Sequence, residues 1–280
     1  MHFNQYADDT SIFLSHKKVG NLYAEMNQEL ENISSWIEAN KLSLNVNKTV
    51  YLLFSGKKVI DQLPQLKIFN QPIDRKSDTK FLGIYIDEKL SWKVHTQHVT
   101  AKISRMIGIM YKLRNELTKC AMRTLYISLI HSHLRYGLIY WGAADKNLLN
   151  PLFILQKKII RLINCSGKID HSEPLFRKSY ILKLEDLISL EMAKFMFRDL
   201  RSANSHFNFQ LRNSFHHYNT RNHSSIALPQ PRSAILRNSI FFRGPSIYND
   251  LPENIKSAPT LNSFKYLLKT HYVNNYESSM

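Results

Sequence analysis

Apolar residues change their spacing near residue 90, and that change constrains the fold more than anything else in the chain. Before it they come in short runs bounded by polar residues, the pattern of strands joined by turns. Phe3 and Tyr6 precede Asp8-Asp9, and Ile12 and Leu14 follow it. Leu42, Leu44 and Val46 are separated from Val50 to Phe54 by the polar stretch Asn45 to Thr49, which reads as strand, turn and strand. Leu66 to Phe69 and Pro72-Ile73 flank Asn70-Gln71, a hairpin turn of two residues, and Phe81 to Ile86 reads as one more strand. A single helix interrupts these runs, with Leu22, Met26, Leu30, Ile33 and Ile37 on one stripe. From Trp92 the period becomes helical. Val99, Ile103, Met106, Ile107 and Met110 outline a helix through Leu117, and further helices are expected over Met122 to Tyr140, Pro151 to Ile163 and Leu182 to Leu200. The expected class is α+β, with the strands gathered in front of the helices. Three regions follow: 1–90, strand-rich; 91–201, helical and basic; and 202–280. The last is rich in Asn, Ser, His and Pro and is expected to be irregular, with a possible terminal helix over Leu261 to Tyr272.

The net charge of +16 is not spread evenly. Residues 1–90 carry 11 Lys/Arg and 11 Asp/Glu, whereas residues 91–280 carry 27 against 11, which is the whole excess. Within 91–165 the balance is 12 basic against 2 acidic. Such a split points to a polyanion-binding surface built by the later elements, beside the alternative of a basic protein kept soluble by its charge. The two cysteines, Cys120 and Cys165, lack any CxxC partner, so neither a disulfide framework nor a zinc module is expected. A reducing intracellular setting, cytoplasmic or nuclear, is the default. No apolar run reaches the length of a membrane span, and Met1 to Gln5 shows neither the basic start nor the apolar stretch of a signal peptide.

The residues best placed to carry chemistry are Tyr6-Ala7-Asp8-Asp9. Neighbouring side chains on a straight strand face opposite sides, so two adjacent carboxylates share a site only where the chain turns. A tight hairpin does this and leaves the oxygens projecting. Magnesium, a hard cation, takes one or two carboxylates together with substrate phosphates. Two such ions can clamp an in-line phosphoryl displacement. Asp is also a common turn residue for local hydrogen-bonding reasons, and the tetrapeptide alone does not separate the two readings. His131 and His133 are not at a metal-binding spacing, and a partly buried or surface role is expected of them.

Gln5-Tyr6-Ala7-Asp8-Asp9-Thr10 resembles the YADD box of non-LTR, LINE-type retrotransposon reverse transcriptases, the strand-turn-strand of a polymerase palm. Asn45-Val46-Asn47-Lys48-Thr49 is similar to the next palm motif, and Phe81-Leu82-Gly83-Ile84 resembles the primer-grip hairpin after it, in the same order and spacing. Leu90-Ser91-Trp92, Leu125-Tyr126 through Trp141-Gly142, and Leu155-Gln156-Lys157-Lys158 resemble the thumb and the segments beyond it. Glu173-Pro174-Leu175, Tyr218-Asn219-Thr220-Arg221, Gly244-Pro245 and Leu251-Pro252 resemble stretches of jockey-like elements.

The resemblance implies a partial palm over 1–90 followed by a mainly helical thumb-like region. It implies Asp8 and Asp9 as magnesium (or manganese) ligands, and Tyr6 and Ala7 beside the primer end or the incoming dNTP. It implies Lys48 near the nucleotide phosphates, and Phe81, Leu82 and Gly83 positioning the primer. Tyr6, Phe81 and Leu82 have an alternative as core residues, and Lys48 as a solvated turn lysine. Lys102, Arg105, Lys112, Arg114, Lys157, Lys158 and Arg161 would track phosphates of an RNA template paired with a DNA primer. The resemblance also implies a further palm aspartate and a fingers region that these 280 residues do not contain. The expectation is therefore a piece of an RNA-directed DNA polymerase that is inactive alone. It would need the complete palm to hold magnesium. The alternative is a non-catalytic module that binds RNA or an RNA–DNA hybrid. No protein partner is indicated.

Overall fold

The structure, a computed structural model, describes residues 2–56, 63–202, 207, 209–214 and 225–276. The expected motif Tyr218-Asn219-Thr220-Arg221 lies outside them. The chain divides into two compact units, Met1–Leu90 and Ser91–Met280. The class is α+β, as the change of period implies.

The first unit opens with an antiparallel hairpin, β1 (His2–Tyr6) and β2 (Asp9–Phe13), in which Tyr6 faces Asp9 and His2 faces Phe13. Helix α1 (Val19–Ala39) follows and buries Leu30 and Ile37 of the expected stripe together with Tyr23. It stops where Asn40 Nδ2 donates to the carbonyl of Trp36 at 2.8 Å and Lys41 takes a positive φ of 54°. The strand expected over Leu42 to Val46 does not form, and Leu42 and Leu44 are exposed. The side chain of Asn45 accepts a hydrogen bond from the amide of Lys48, and this local cap winds Val46–Lys48 into a 3₁₀ turn.

Strand β3 (Val50–Tyr51) is correspondingly short and pairs in parallel with β6 (Asp74–Arg75). Between them, β4 (Lys67–Ile68) and β5 (Gln71–Pro72) make a hairpin whose turn is Phe69-Asn70, one residue earlier than expected. Both central residues have positive φ, 50° and 57°, as a type I′ turn requires, and Asn tolerates this better than Gln. Strands β7 (Asp78–Phe81) and β8 (Ile84–Asp87) replace the single strand expected over Phe81 to Ile86. The chain reverses at Leu82-Gly83, again with both φ positive, and Gly83 at 84° has no Cβ to oppose it. Tyr23, Leu30, Leu53, Leu66, Ile68 and Ile73 form the core of this unit. From the first hairpin only Ile12 packs against it among the described residues.

The second unit is helical. It contains α2 (Lys93–Leu113), α3 (Lys119–Tyr126), α4 (Ser132–Arg135), α5 (Leu138–Trp141), α6 (Lys146–Asn164), α7 (Glu173–Ser179), α8 (Leu184–Asp199), α9 (Ala234–Asn238), α10 (Ile240–Asn249), α11 (Glu253–Lys256) and α12 (Leu261–Asn274). A π-helical turn over Ile127–His131 joins α3 to α4, so these run as one rod. The rod ends at Tyr136-Gly137 rather than at Tyr140: Gly137 sits at φ 61°, and the indole of Trp141 donates to the carbonyl of Tyr136 at 2.8 Å. Helices α9, α10 and α11 stand where an irregular stretch was expected, and α12 is the expected terminal helix. Their caps are local, with Ser233 accepting from Leu236 N and Thr260 from Ser263 N. Trp141, Tyr126, Phe176, Ile103, Met110, Leu152, Ile159 and Phe264 lie at the centre of one continuous core.

Candidate active site

The β1–β2 hairpin presents Asp8 as the second of two turn residues and Asp9 as the first residue of β2. Ala7, the other turn residue, has φ 50°, the positive first angle of a type II′ turn, which suits the twist of a hairpin. Both aspartates are exposed. Tyr6 is 68% exposed and lies outside the core of this unit, and Phe3 and Phe13 of the same hairpin are exposed as well. The two carboxylates thus stand at the tip of a ribbon that pairs with no other strand among the described residues.

Lys48 ends the 3₁₀ turn set by Asn45 and is exposed. Leu82 and Gly83 form the tip of the β7–β8 hairpin, and Phe81 is half-buried beside them. All of these residues belong to the first unit, and no ion pair joins Lys48 to Asp8 or Asp9 among the described residues. No group of three or more His, Cys, Asp or Glu side chains is close enough to hold a metal ion among the described residues. The donor set at the tip is two oxygen-bearing carboxylates, which is the right chemistry for magnesium. The remaining positions would fall to water, phosphate oxygens and donors beyond these two side chains.

In the second unit, the cations expected to follow a duplex lie on α2 and α6, which pack together, and on the turn after α2. Arg105, Lys112 and Lys158 are exposed, and Lys102 is half-buried. The other three have structural partners. The guanidinium of Arg114 lies 3.8 Å over the Tyr111 ring, Lys157 Nζ lies 4.3 Å over Phe153, and Arg161 Nε donates to the carbonyl of Asp170 at 2.8 Å. His131 is half-buried and is held down to about 4, first by burial and then by the charges of Arg135, Lys269 and Lys265, against the pull of Glu191.

Local sequence gave no sign of a further cationic group. Arg135 of α4, Lys194 and Arg198 of α8 and Lys265 of α12 line one pocket around Glu191. They come from three helices that are distant in the chain, so neither spacing nor a charge run marks them.

Several motif residues of the second unit prove to be architectural. Gln156 is 1% exposed, and its amide nitrogen donates both to the hydroxyl of Tyr126 and to the carbonyl of Leu182, each at 2.9 Å. A Cβ on Gly142 would stand 2.5 Å from the carbonyl oxygen of Leu138 and 3.0 Å from Ile188 Cγ2, while Arg243 donates to the Gly142 carbonyl. Gly244 allows α10 to approach Met196 of α8. Glu173, at the start of α7, is paired with Lys183.

The chain is similar to RNA-directed DNA polymerases of mobile elements. The chain is 26% identical over 197 residues to the RNA-directed DNA polymerase from mobile element jockey of Drosophila melanogaster, a match covering 69% of this chain and 21% of that protein. It is 24% identical over 193 residues to the probable RNA-directed DNA polymerase from transposon BS of the same fly, covering 68% and 21%. It is 23% identical over 139 residues to the retrovirus-related Pol polyprotein from type-1 retrotransposable element R1 of Bradysia coprophila, covering 49% and 14%. The chain therefore spans about a fifth of the length of the first two. No family model and no solved structure matches. The similarity to jockey-like and other non-LTR retrotransposon polymerases, first read from the YADD box, is thus found in the relatives themselves.

Proposed function

We propose that residues 1–280 are a segment of an RNA-directed DNA polymerase of a non-LTR retrotransposon, with a partial palm in the first unit and a thumb-like grip in the second. The observation that carries this reading is the exposed hairpin tip, where a two-residue turn puts Asp8 and Asp9 side by side and free of ion pairs among the described residues. Magnesium bound there would supply charge stabilisation for in-line nucleotidyl transfer. Asp8 would ligate it as the turn residue and Asp9 would share the load. Tyr6, with its ring in solvent, would lie against the nucleotide or primer end. Lys48 would offer a proton or a positive charge to the leaving pyrophosphate. Leu82-Gly83 would support the primer through the closeness of backbone that Gly83 allows. The substrates would be dNTPs on an RNA template with a DNA primer. Two carboxylates do not complete such a centre, so the 280 residues alone are expected to bind nucleic acid without extending it.

Manganese, a paramagnetic stand-in for magnesium, tests the metal assignment. The two carboxylates and the dNTP phosphates are expected to hold it only weakly and in passing, yet enough at millimolar manganese to broaden the backbone resonances of residues 6–10, and Asp8→Asn should remove that broadening. Unbroadened resonances at millimolar manganese would contradict the assignment. The second reading, a binding module without chemistry, is favoured by the charge split, since all of the +16 lies beyond residue 90.

A further inference from the structure

The pocket between α4, α5, α8 and α12 has a volume of about 340 Å³ and is lined by Arg135, Tyr140, Glu191, Lys194, Arg198 and Lys265. Four cations surround one carboxylate. Glu191 is taken up by two of them, accepting from Arg135 Nε at 2.7 Å and from Lys194 Nζ at 2.7 Å. Arg198 and Lys265 are exposed, and neither has an ion-pair partner among the described residues. Lys194 is only 8% exposed. Burial, with the charges of Arg135 and Lys265 behind it, holds this lysine below its ordinary range against the pull of Glu191. Positive charge is thus concentrated in a concave, partly dry space, where an arriving anion is attracted most strongly. Tyr140, more than half exposed, belongs to the same lining and offers an aromatic ring to solvent.

We infer that this pocket takes one nucleotide of single-stranded RNA, its phosphate between Lys194, Arg198 and Lys265 and its base on the Tyr140 ring. Basic grooves interleaved with exposed aromatics are how unpaired strands are held. A duplex offers its phosphates on a convex rod and keeps its bases stacked inside, so it can reach exposed helix faces but has no unpaired base to lay on a ring beside a concave pocket. An acidic peptide would meet the same cations but leave the ring idle. The inference rests on the nucleic-acid reading of the second unit but not on the chemistry of the hairpin.

The test is fluorescence anisotropy of labelled oligo(U) with the full chain at about 0.1 M salt, where phosphate contacts still dominate binding. Arg198→Gln/Lys265→Gln, both surface changes, should weaken oligo(U) binding about tenfold and flatten its salt dependence by about one to two contacts. Tyr140→Ala should weaken oligo(U) about fivefold or more and leave heparin binding unchanged. The same double variant should bind an RNA–DNA duplex within about twofold of the parent, because the surface proposed for it is on α2 and α6. Unchanged oligo(U) affinity in the double variant would overturn the inference. So would equal losses for oligo(U), duplex and heparin, or a silent Tyr140→Ala. A parent chain that fails to bind duplex while holding oligo(U) through these residues would uphold the pocket and defeat the thumb assignment instead.

Discussion

At the scale of single residues, the second unit owes much to side chains whose motif membership hid their work. Gly142 has an ordinary helical φ, so its requirement is one of space: an added Cβ meets the Leu138 carbonyl at 2.5 Å, and backbone cannot yield there. Gly142→Ala is expected to destabilise the unit by about 1–3 kcal/mol, seen as a lower Tm by calorimetry; an unchanged Tm would show that α5 can shift. His131 gives a pH signature. Its folded pKa near 4 lies below the ordinary 6.5, so the unfolded chain binds a proton that the folded one does not. The stability it contributes is full above pH 6.5 and is lost as the pH falls toward 4. The groups facing it are Arg135, Lys269, Lys265 and Glu191. Denaturant titrations at pH 7 and pH 4.5 should differ by about 2 kcal/mol on this account, after allowance for solvent screening. His131→Gln should flatten that profile, and equal slopes in the two proteins would contradict the assignment.

At the scale of elements, legibility followed length. The long helices α1, α2, α6 and α12 could be read because an apolar stripe repeats over several turns, and α8, buried on several sides, because its apolar residues fill a run of helical length. Several short elements could not. The seven residues of α7 hold too few periods to register. The Leu42 to Val46 alternation lost to a cap that Asn45 makes with Lys48. Turn chemistry decided the hairpins. Asn70 marked the region of a turn but not its register, and Leu82-Gly83 reversed a run that looked like one strand. The candidate hairpin at Asp8-Asp9 was legible because the doubled carboxylate, the flanking strands and the resemblance all fall on the same ten residues. The pocket around Glu191 was not, since it exists only once α4, α8 and α12 have packed.

Helix α6 illustrates the reverse case. Leu155-Gln156-Lys157-Lys158 reads as a basic motif, yet Gln156 points into the core and ties α3 to the residue before Lys183. Gln156→Leu would strand the Tyr126 hydroxyl and the Leu182 carbonyl, and it should cost about 1–3 kcal/mol by denaturant titration. A neutral result would mean that these groups find other partners.

At the scale of the whole molecule, each unit carries its own apolar core, and the charge is divided as sharply as the structure. The first unit is neutral and holds the two carboxylates; the second holds all of the excess positive charge. Binding of an RNA–DNA duplex should therefore weaken at least about tenfold between 50 and 200 mM salt, and a gel shift that ignores salt would contradict a phosphate-tracking surface. No helix among the described residues is long and apolar enough to cross a membrane. The central claim is that the hairpin at Asp8-Asp9 supplies part of a polymerase centre while the basic unit holds the template and primer. Primer extension on an RNA template with a DNA primer and magnesium, run beside a gel shift of the same duplex and beside Asp8→Ala, tests it most directly. The account predicts salt-sensitive duplex binding that survives Asp8→Ala, with no extension by the 280 residues alone. Extension that Asp8→Ala abolishes would contradict the claim that the centre is only partial here, and absence of duplex binding would contradict the grip assigned to the second unit.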